Sequence, residues 1–214
     1  MITIKTFVFN PFSENTYLLY DETKECVIID PGCFTKNEEE ELIDFIKTNQ
    51  LIPKVILNTH CHIDHVIGNQ FIKTEFNIPL WIPINEEDTF NAVPSYAGSY
   101  GFEGYKHATV DKFINDHEEV KFGSSTLKTI LAPGHSAGHV AFVNLDQNIC
   151  FGGDILFNGS IGRTDLPRGD FDTLIKSIKD RLFILNDSTV VYPGHGSTTT
   201  IKHEKASNPF CSIN

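Results

Sequence analysis

The stretch 57-LNTHCHIDHVIGN-69 carries three histidines and one aspartate within six residues. These four residues are His60, His62, Asp64 and His65. The apolar run before them, "KVILN", predicts a short buried strand, and the residues from Asp64 to Phe76 predict a helix. The sequence therefore places four potential metal ligands at a strand-to-helix turn.

The spacing of these side chains favours a shared site. Residues two apart in an extended segment lie on the same face, so His60 and His62 are expected to point the same way. Asp64 and His65 would then face back toward them from the start of the helix. Imidazole nitrogens and carboxylate oxygens are the usual ligands of zinc, iron and manganese in proteins. An isolated Asp64 would be an ordinary helix N-cap, but four such groups together predict metal binding and favour two ions.

The second half of the chain offers three further ligand candidates. His135 lies in "LAPGHSAGH", Asp154 in "CFGGDILF" and His195 in "VVYPGHGS". Each follows an apolar strand and a glycine-containing turn, a layout that presents a side chain from a rigid base. Any one of them alone would be an equally good turn residue. The common layout of all three predicts that they complete the site.

The remaining pattern predicts an α+β fold in one domain spanning residues 1–214. Strands are predicted in "ITIKTFVF", "NTYLLYD", "ECVIIDPG", "IPLWIPI", residues 126–131, 140–145 and 148–152, and "STVVYPG"; helices are predicted at 35–49 and 171–182 and from Thr200 onward. Strands followed by helices, twice over, indicate two packed mixed sheets with helices on their outer faces.

Composition excludes several classes of function. The formal net charge is −11 without a basic stripe, so a nucleic-acid partner is not expected. The sequence contains no apolar run near 18 residues and no signal peptide, so a membrane span or export is not expected. The five cysteines are odd in number, widely spaced and without a CxxC motif. This usage predicts reduced thiols and a cytoplasmic location.

Several motifs together resemble the metallo-β-lactamase superfamily of dinuclear metallohydrolases. They are "NPFSENTYLL", "VIIDPG", THxHxDHxxGN, "PGHSAGH", "GGDILF", "GRTDLP" and "YPGHG", and they cover nearly the whole chain. The resemblance implies a four-layer αββα sandwich of two mixed sheets, with the metals at one edge between the sheets.

The resemblance also implies a role for each candidate ligand. One metal would be held by His60, His62 and His135. The second would be held by Asp64, His65 and His195, and Asp154 would bridge the two. Asp30 resembles an aspartate that supports the ligands from behind, although a turn aspartate is an equal alternative for it; His139 is expected to support the site or to be a buried structural histidine.

Within the superfamily, the chain is most similar to glyoxalase II-like hydrolases of the short bacterial, hydroxyacylglutathione hydrolase type. The segment "SIGRTDLPRGD", residues 160–170, carries this likeness. It implies two divalent metals, zinc first with iron or manganese as alternatives, and a metal-bridging hydroxide that cleaves a small-molecule thioester. Asp64 would orient the water or accept its proton. The C-terminal helical region that holds glutathione in longer relatives is missing, which leaves the thiol carrier open.

Other interpretations of the site remain. One is an iron oxygenase of the persulfide dioxygenase type, with a single iron on His60, His62 and either Asp154 or His135. Others are hydrolysis of a lactone or another ester, and a metal-binding protein without activity. Oligomeric state is also open.

Three features outside the ligand set carry separate expectations. Arg163 is either a substrate contact or an ion-pair partner of Asp165 within its loop. Cys61 lies between two ligands but should point away from them and pack in the core. The aromatic, glycine-rich "YAGSYGFEGY" is either a mobile flap over the site or a surface loop.

Overall fold

The first half of the chain folds as a six-stranded sheet whose strand order follows the sequence. The computed structural model describes residues 1–213. The strands are β1 (Thr3–Phe9), β2 (Glu14–Tyr20), β3 (Glu25–Ile29), β4 (Ile52–Leu57), β5 (Leu80–Pro83) and β6 (Lys112–Ile114). The pairs from β1 to β3 are antiparallel and those from β3 to β6 are parallel, so the sheet is mixed.

The second half supplies a matching six-stranded sheet. Its strands and one small hairpin are β7 (Glu119–Phe122), β8 (Ser125–Leu131), β9 (Val140–Asn144), β10 (Ile149–Gly153), the hairpin β11 (Leu156–Phe157) and β12 (Ser160–Ile161), β13 (Val190–Pro193) and β14 (Thr199–Thr200). The order across the sheet is β14-β13-β10-β9-β8-β7, and β10 pairs with β13 in parallel. Its other neighbouring strands pair antiparallel.

Helices cover the outer faces of both sheets. They are α1 (Lys36–Thr48), α2 (Ile63–Val66), α3 (Asn69–Phe76), α4 (Glu87–Tyr96), α5 (Phe171–Ser177) and α6 (Ile201–Ser207), with 3-10 turns at Ile84–Glu86 and Ala97–Tyr100 and a π turn at Ile178–Leu182. Within residues 1–213, none of these helices is long and apolar enough to cross a bilayer. The five cysteines are free and buried.

Alternating strand residues serve two different cores. Leu19 and Ile29 face the second sheet and pack with Phe142 and Phe151. Their chain neighbours Leu18 and Ile28 point to the opposite face, where α1, α3 and α4 cover them. A third cluster lies under α5 and α6 on the outer face of the second sheet. Because successive strand residues point to opposite faces, both sheets are buried on both sides, and the four-layer αββα sandwich is confirmed.

Two helix predictions need correction. The helix expected from Asp64 to Phe76 is broken into α2 and α3, because Gly68 docks against a neighbouring turn. Its N–H donates to the Pro31 carbonyl at 2.8 Å, and a Cβ at position 68 would lie 2.7 Å from Cys33 Sγ. The helix expected over residues 171–182 is α-helical only to Ser177 and ends in the π turn.

The helix predicted at 35–49 forms as α1. Thr35 caps it, since its side chain accepts from the Glu38 N–H while the Glu38 carboxylate accepts from the Thr35 N–H. This reciprocal capping box satisfies donors at the helix start that have no partner within the helix.

Candidate metal centre

The predicted ligands converge at one edge between the two sheets. His60 and His62 follow β4, and His135 follows β8 on the opposite sheet. His62 Nδ1 lies 2.8 Å from His135 Nε2, which lies 3.2 Å from His60 Nε2. The ligand atoms of these three residues all lie within 4.8 Å of one another. The fold therefore forms a three-histidine group from two distant parts of the chain.

A second group lies beside the first. It consists of Asp64, His65 and His195, whose ligand atoms again lie within 4.8 Å of one another. Asp64 Oδ2 is 3.2 Å from His195 Nε2 and 3.6 Å from His65 Nε2. α2 supplies the first two residues, and the turn after β13 supplies the third.

Asp154, which follows β10, lies between the two groups. Its Oδ2 is 3.6 Å from His135 Nε2 in the first group and 3.5 Å from His195 Nε2 in the second. Its Oδ1 is 3.5 Å from His65 Nε2. Gly194 permits this close approach, because a Cβ at that position would lie 2.1 Å from Asp154 Oδ1.

In three of the histidines, the hydrogen bond at Nδ1 indicates that Nε2 is the nitrogen free to bind a metal. His135 Nδ1 donates to the Arg163 carbonyl at 2.7 Å, and His195 Nδ1 donates to the Phe12 carbonyl at 3.0 Å. A carbonyl oxygen can only accept, so each Nδ1 carries a proton and Nε2 is turned toward the site. His65 has the same orientation, with Nδ1 3.1 Å from Asp30 Oδ2.

His60 is oriented through a relay. The Thr59 hydroxyl donates to Asp30 Oδ2 at 2.6 Å and can therefore accept from His60 Nδ1 at 3.0 Å. Asp30 also accepts the Thr59 N–H at 2.7 Å. Asp30 therefore contacts His65 directly and His60 through Thr59, and these contacts fix the orientation of both rings.

His139 lies behind the site as well. Its Nε2 accepts the Asp154 N–H at 3.0 Å, and its ring stacks on His60 with centroids 4.5 Å apart. His139 therefore contacts one residue of each half of the chain without joining either three-residue group.

The inner atoms of this arrangement fit a cation better than they fit one another. His65 Nε2 and Asp154 Oδ1 are buried without a hydrogen-bond partner in the described chain. Buried polar atoms are normally satisfied, yet here imidazole and carboxylate acceptors face the same space. Divalent metal ions would satisfy them, and this donor set suits zinc, iron or manganese.

The titration of these groups agrees with that fit. Burial and the neighbouring His135 lower the pKa of His62 to about 3, so its ring is neutral at pH 7. Burial also lowers the pKa of His60. Although burial disfavours the charged ring of His65, Asp64 and Asp154 raise its pKa. The carboxylates of Asp64 and Asp154 therefore stabilise positive charge at this position, as a bound cation would require.

Glu86 is a supporting residue that the sequence analysis missed. It is fully buried, and its carboxylate accepts the Cys61 N–H at 3.1 Å and the Gly138 N–H at 2.6 Å. It therefore ties the loop that carries His60 and His62 to the loop that follows His135. In the sequence it begins the acidic run "EED", which resembles the exposed first turn of a helix and gave no signal of burial.

Strand β2 holds the His195 turn, a role the sequence analysis also missed. The Asn15 N–H donates to the Gly194 carbonyl at 2.7 Å, and its side-chain amide donates to the carbonyls of Pro193 and Gly196 at 2.9 Å. The Tyr17 hydroxyl donates to the Pro193 carbonyl at 2.6 Å. The motif "NPFSENTYLL" could have pointed to these residues, but its spacing assigns them no role.

A cavity of about 790 Å³ opens above the two groups. Its floor includes His62, Asp64, His135, Asp154 and His195. Its walls are largely apolar and aromatic, formed by Phe12, Tyr96, Tyr100, Phe157, Ile161 and Leu166. Part of the glycine-rich segment therefore borders the site.

Arg163 and Cys61 lie in different surroundings. Arg163 lines the cavity, and its guanidinium makes two hydrogen bonds of 2.7 Å to Asp165. The ion pair expected within this loop is present. Cys61 is fully buried in the core beneath the first sheet, in agreement with a packing role.

An αββα sandwich with clustered imidazoles and carboxylates between its sheets defines a metallohydrolase-like class of protein. The chain belongs to the metallo-beta-lactamase superfamily, whose family model matches residues 9–195.

Relatives resemble the chain over nearly its whole length. Hydroxyacylglutathione hydrolase GloC of Haemophilus influenzae is 41% identical over 202 residues, which are 93% of this chain and 93% of the relative. The solved structure of BLEG-1 B3 metallo-beta-lactamase is 35% identical with a TM-score of 0.87, covering 99% of this chain and 100% of its own. TTHA1623 in a di-iron-bound form is 33% identical with a TM-score of 0.85, covering 96% and 99%.

Proposed function

We propose that the chain is a dinuclear metal-dependent hydrolase that cleaves a small-molecule hydroxyacyl thioester in the cytoplasm. The observation that carries the proposal is the position of Asp154 between two three-residue groups, with an oxygen facing each. The similarity to a hydroxyacylglutathione hydrolase supports the substrate class. Zinc is the first candidate metal; iron and manganese are the alternatives, and a di-iron relative supports iron.

The seven proposed ligands divide as the geometry does. His60, His62 and His135 would hold one ion, Asp64, His65 and His195 the other, and Asp154 would contact both. Two metal ions held by these residues would activate water at neutral pH and would polarise the substrate carbonyl.

The chain's own residues carry the remaining steps. Asp64 belongs to the second group and lines the cavity, which supports a role for its carboxylate in orienting the attacking water and accepting its proton. The apolar walls hold the acyl thiol and exclude bulk water. The thiolate can leave without receiving a proton from a general acid, because a thiol of pKa about 8.5 gives a good leaving group.

Metal content and hydrolysis test the proposal together. Protein expressed without added metal should contain about two ions per chain by elemental analysis. It should release free thiol from S-lactoylglutathione, followed with a thiol-reactive dye. Asp154→Asn should reduce the metal content of the protein. It should also lower the rate of hydrolysis by more than about 100-fold.

A matched histidine pair localises the effect. His195→Gln should lose about one metal per chain, whereas His203→Gln, an exposed histidine on α6 outside the cavity, should retain both. Metal-loaded protein that turns over no thioester would refute the proposed hydrolysis. A single iron with oxygen uptake on glutathione persulfide would instead establish the oxygenase alternative. Turnover confined to a lactone or another ester would reassign the substrate.

A further inference from the structure

The rim of the cavity contains an ion pair that the proposed chemistry does not use. Arg168 lies in the loop after β12, and Asp88 lies in the first turn of α4 on the facing wall. Arg168 Nη1 donates to Asp88 Oδ2 at 3.2 Å, and both residues line the cavity. The pair therefore joins two walls of the cavity at its entrance.

This pair is weakly held. Asp88 is 86% exposed on its side chain, and its single hydrogen bond uses one of the five N–H donors of the guanidinium. Breaking an ion pair as exposed as this one changes a binding equilibrium constant by less than about fivefold. A substrate carboxylate or phosphate that met Arg168 in two-pronged geometry would therefore replace Asp88 at small cost.

Arg163, the other arginine of the cavity wall, is less available. Two prongs of its guanidinium already bind Asp165, each at 2.7 Å. Of the two arginines that line the cavity in the described part of the chain, Arg163 makes two hydrogen bonds to a carboxylate and Arg168 makes one.

The backbone of Arg168 is also unusual. Its φ is +71°, in the left-handed region where a residue with a Cβ is disfavoured. The turn is closed by the Gly169 N–H, which donates to the Leu166 carbonyl at 2.9 Å. A glycine would suit this conformation better than an arginine, so an Arg168→Gly variant removes the side chain without straining the turn.

We propose that Arg168 determines carrier specificity by binding an anionic group of the thiol carrier, and that Asp88 occupies it until substrate arrives. The inference rests on the proposed thioester hydrolysis and adds the recognition of the carrier. The reactive carbonyl would lie at the histidine floor, the carrier chain would cross the apolar walls, and the anion would reach the rim. A carboxylate and a phosphate would satisfy the same guanidinium.

Binding of non-hydrolysable thioethers tests Arg168 without turnover. S-methylglutathione carries carboxylates, S-methyl-coenzyme A carries phosphates, and S-methyl-N-acetylcysteamine is neutral. By calorimetry on the metal-loaded protein, Arg168→Gln should weaken at least one anionic ligand about 5- to 20-fold and change the neutral ligand less than about twofold. Arg168→Lys should recover part of the affinity, and Arg168→Gly should match Arg168→Gln while suiting the backbone.

Two further variants isolate the ion pair and the charge. Asp88→Asn should tighten the same anionic ligand about two- to fivefold, and that gain should disappear in the Asp88→Asn, Arg168→Gln double variant. Lys176→Gln removes an exposed cation of α5 that pairs with Asp180 and does not line the cavity. It should change the affinity of neither the anionic nor the neutral ligand.

The outcomes separate the two proposals. Loss confined to the glutathione ligand identifies a carboxylate carrier, and loss confined to the coenzyme A ligand identifies a phosphate carrier. Equal loss for the neutral ligand, a gain from Asp88→Asn that persists without Arg168, or no binding of any thioether would overturn the role of Arg168. Absence of thioester turnover alongside Arg168-dependent binding would overturn the hydrolysis and leave the anion site established.

Discussion

Replacing Glu86 with glutamine tests whether one buried carboxylate joins the two ligand loops. Glutamine keeps one carbonyl oxygen, so one of the two N–H donors, from Cys61 or Gly138, retains its acceptor. The other N–H then faces an amide NH₂ group, which cannot accept. The change removes one hydrogen bond to a charged group, worth about 1.5–3 kcal/mol, and leaves a buried donor unsatisfied.

We expect Glu86→Gln to lower the free energy of unfolding of the metal-free protein by about 2–4 kcal/mol. For a chain of this size, that corresponds to a fall of roughly 5–15 °C in Tm. Because the two loops carry all three histidines of the first group, affinity for the first metal should also fall by about 10- to 100-fold.

Urea denaturation of the chelator-treated protein measures the free energy of unfolding. Competition between the folded protein and a metal-binding dye measures the metal affinity. Glu41→Gln is the matched control: Glu41 is exposed on α1, and its replacement should change stability by less than about 0.5 kcal/mol. Equal unfolding free energies for the two variants would refute the assignment of Glu86 as the connection between the loops.

Three other expectations concern the site and the fold. Asp30→Asn suits the backbone φ of +50° but cannot accept from every donor that Asp30 satisfies, so elemental analysis should show loss of the metal next to His65; two retained ions would contradict this. Cys61→Ala should leave metal content unchanged and reduce the free energy of unfolding by about 1 kcal/mol in urea, and any loss of metal would assign the thiol to the site. Partial burial tends to raise the pKa of Asp116, but a backbone N–H and the Arg181 guanidinium lower it overall. Its ionised form therefore stabilises the fold above the unfolded pKa of about 3.9 and loses this effect as the pH falls through the lower folded value. Asp116→Asn should reduce the free energy of unfolding by about 1–2 kcal/mol at pH 7 and by progressively less in acid. An equal reduction at pH 7 and in acid, measured by urea denaturation, would exclude the charge as the cause.

The parts of the structure that local patterns control could be predicted from the sequence. Apolar runs bounded by glycine and proline turns predicted most strands of the two sheets, and Thr35 marked the start of α1. The histidine motif was identifiable because its candidate ligands are close in the chain. His135, Asp154 and His195 were identifiable because each follows a strand and a tight turn, a combination that repeats.

The supporting contacts could not be predicted, because they join residues with no local relation. Asn15 reaches the Pro193 carbonyl across 178 positions of the chain. Glu86 has the local surroundings of an exposed acidic residue, and only the tertiary arrangement buries it. The break before α3 likewise depends on the approach of Gly68 to Pro31, which the helical pattern around it does not reveal.

The contact between His195 and the Phe12 carbonyl joins two segments that are 183 positions apart in the chain. The second three-residue group therefore forms only when the β2 side of the first sheet has met the β13 side of the second sheet. Loss of order in either segment would release the His195 ring and open this group, so the group reports on the docking of the two sheets against each other.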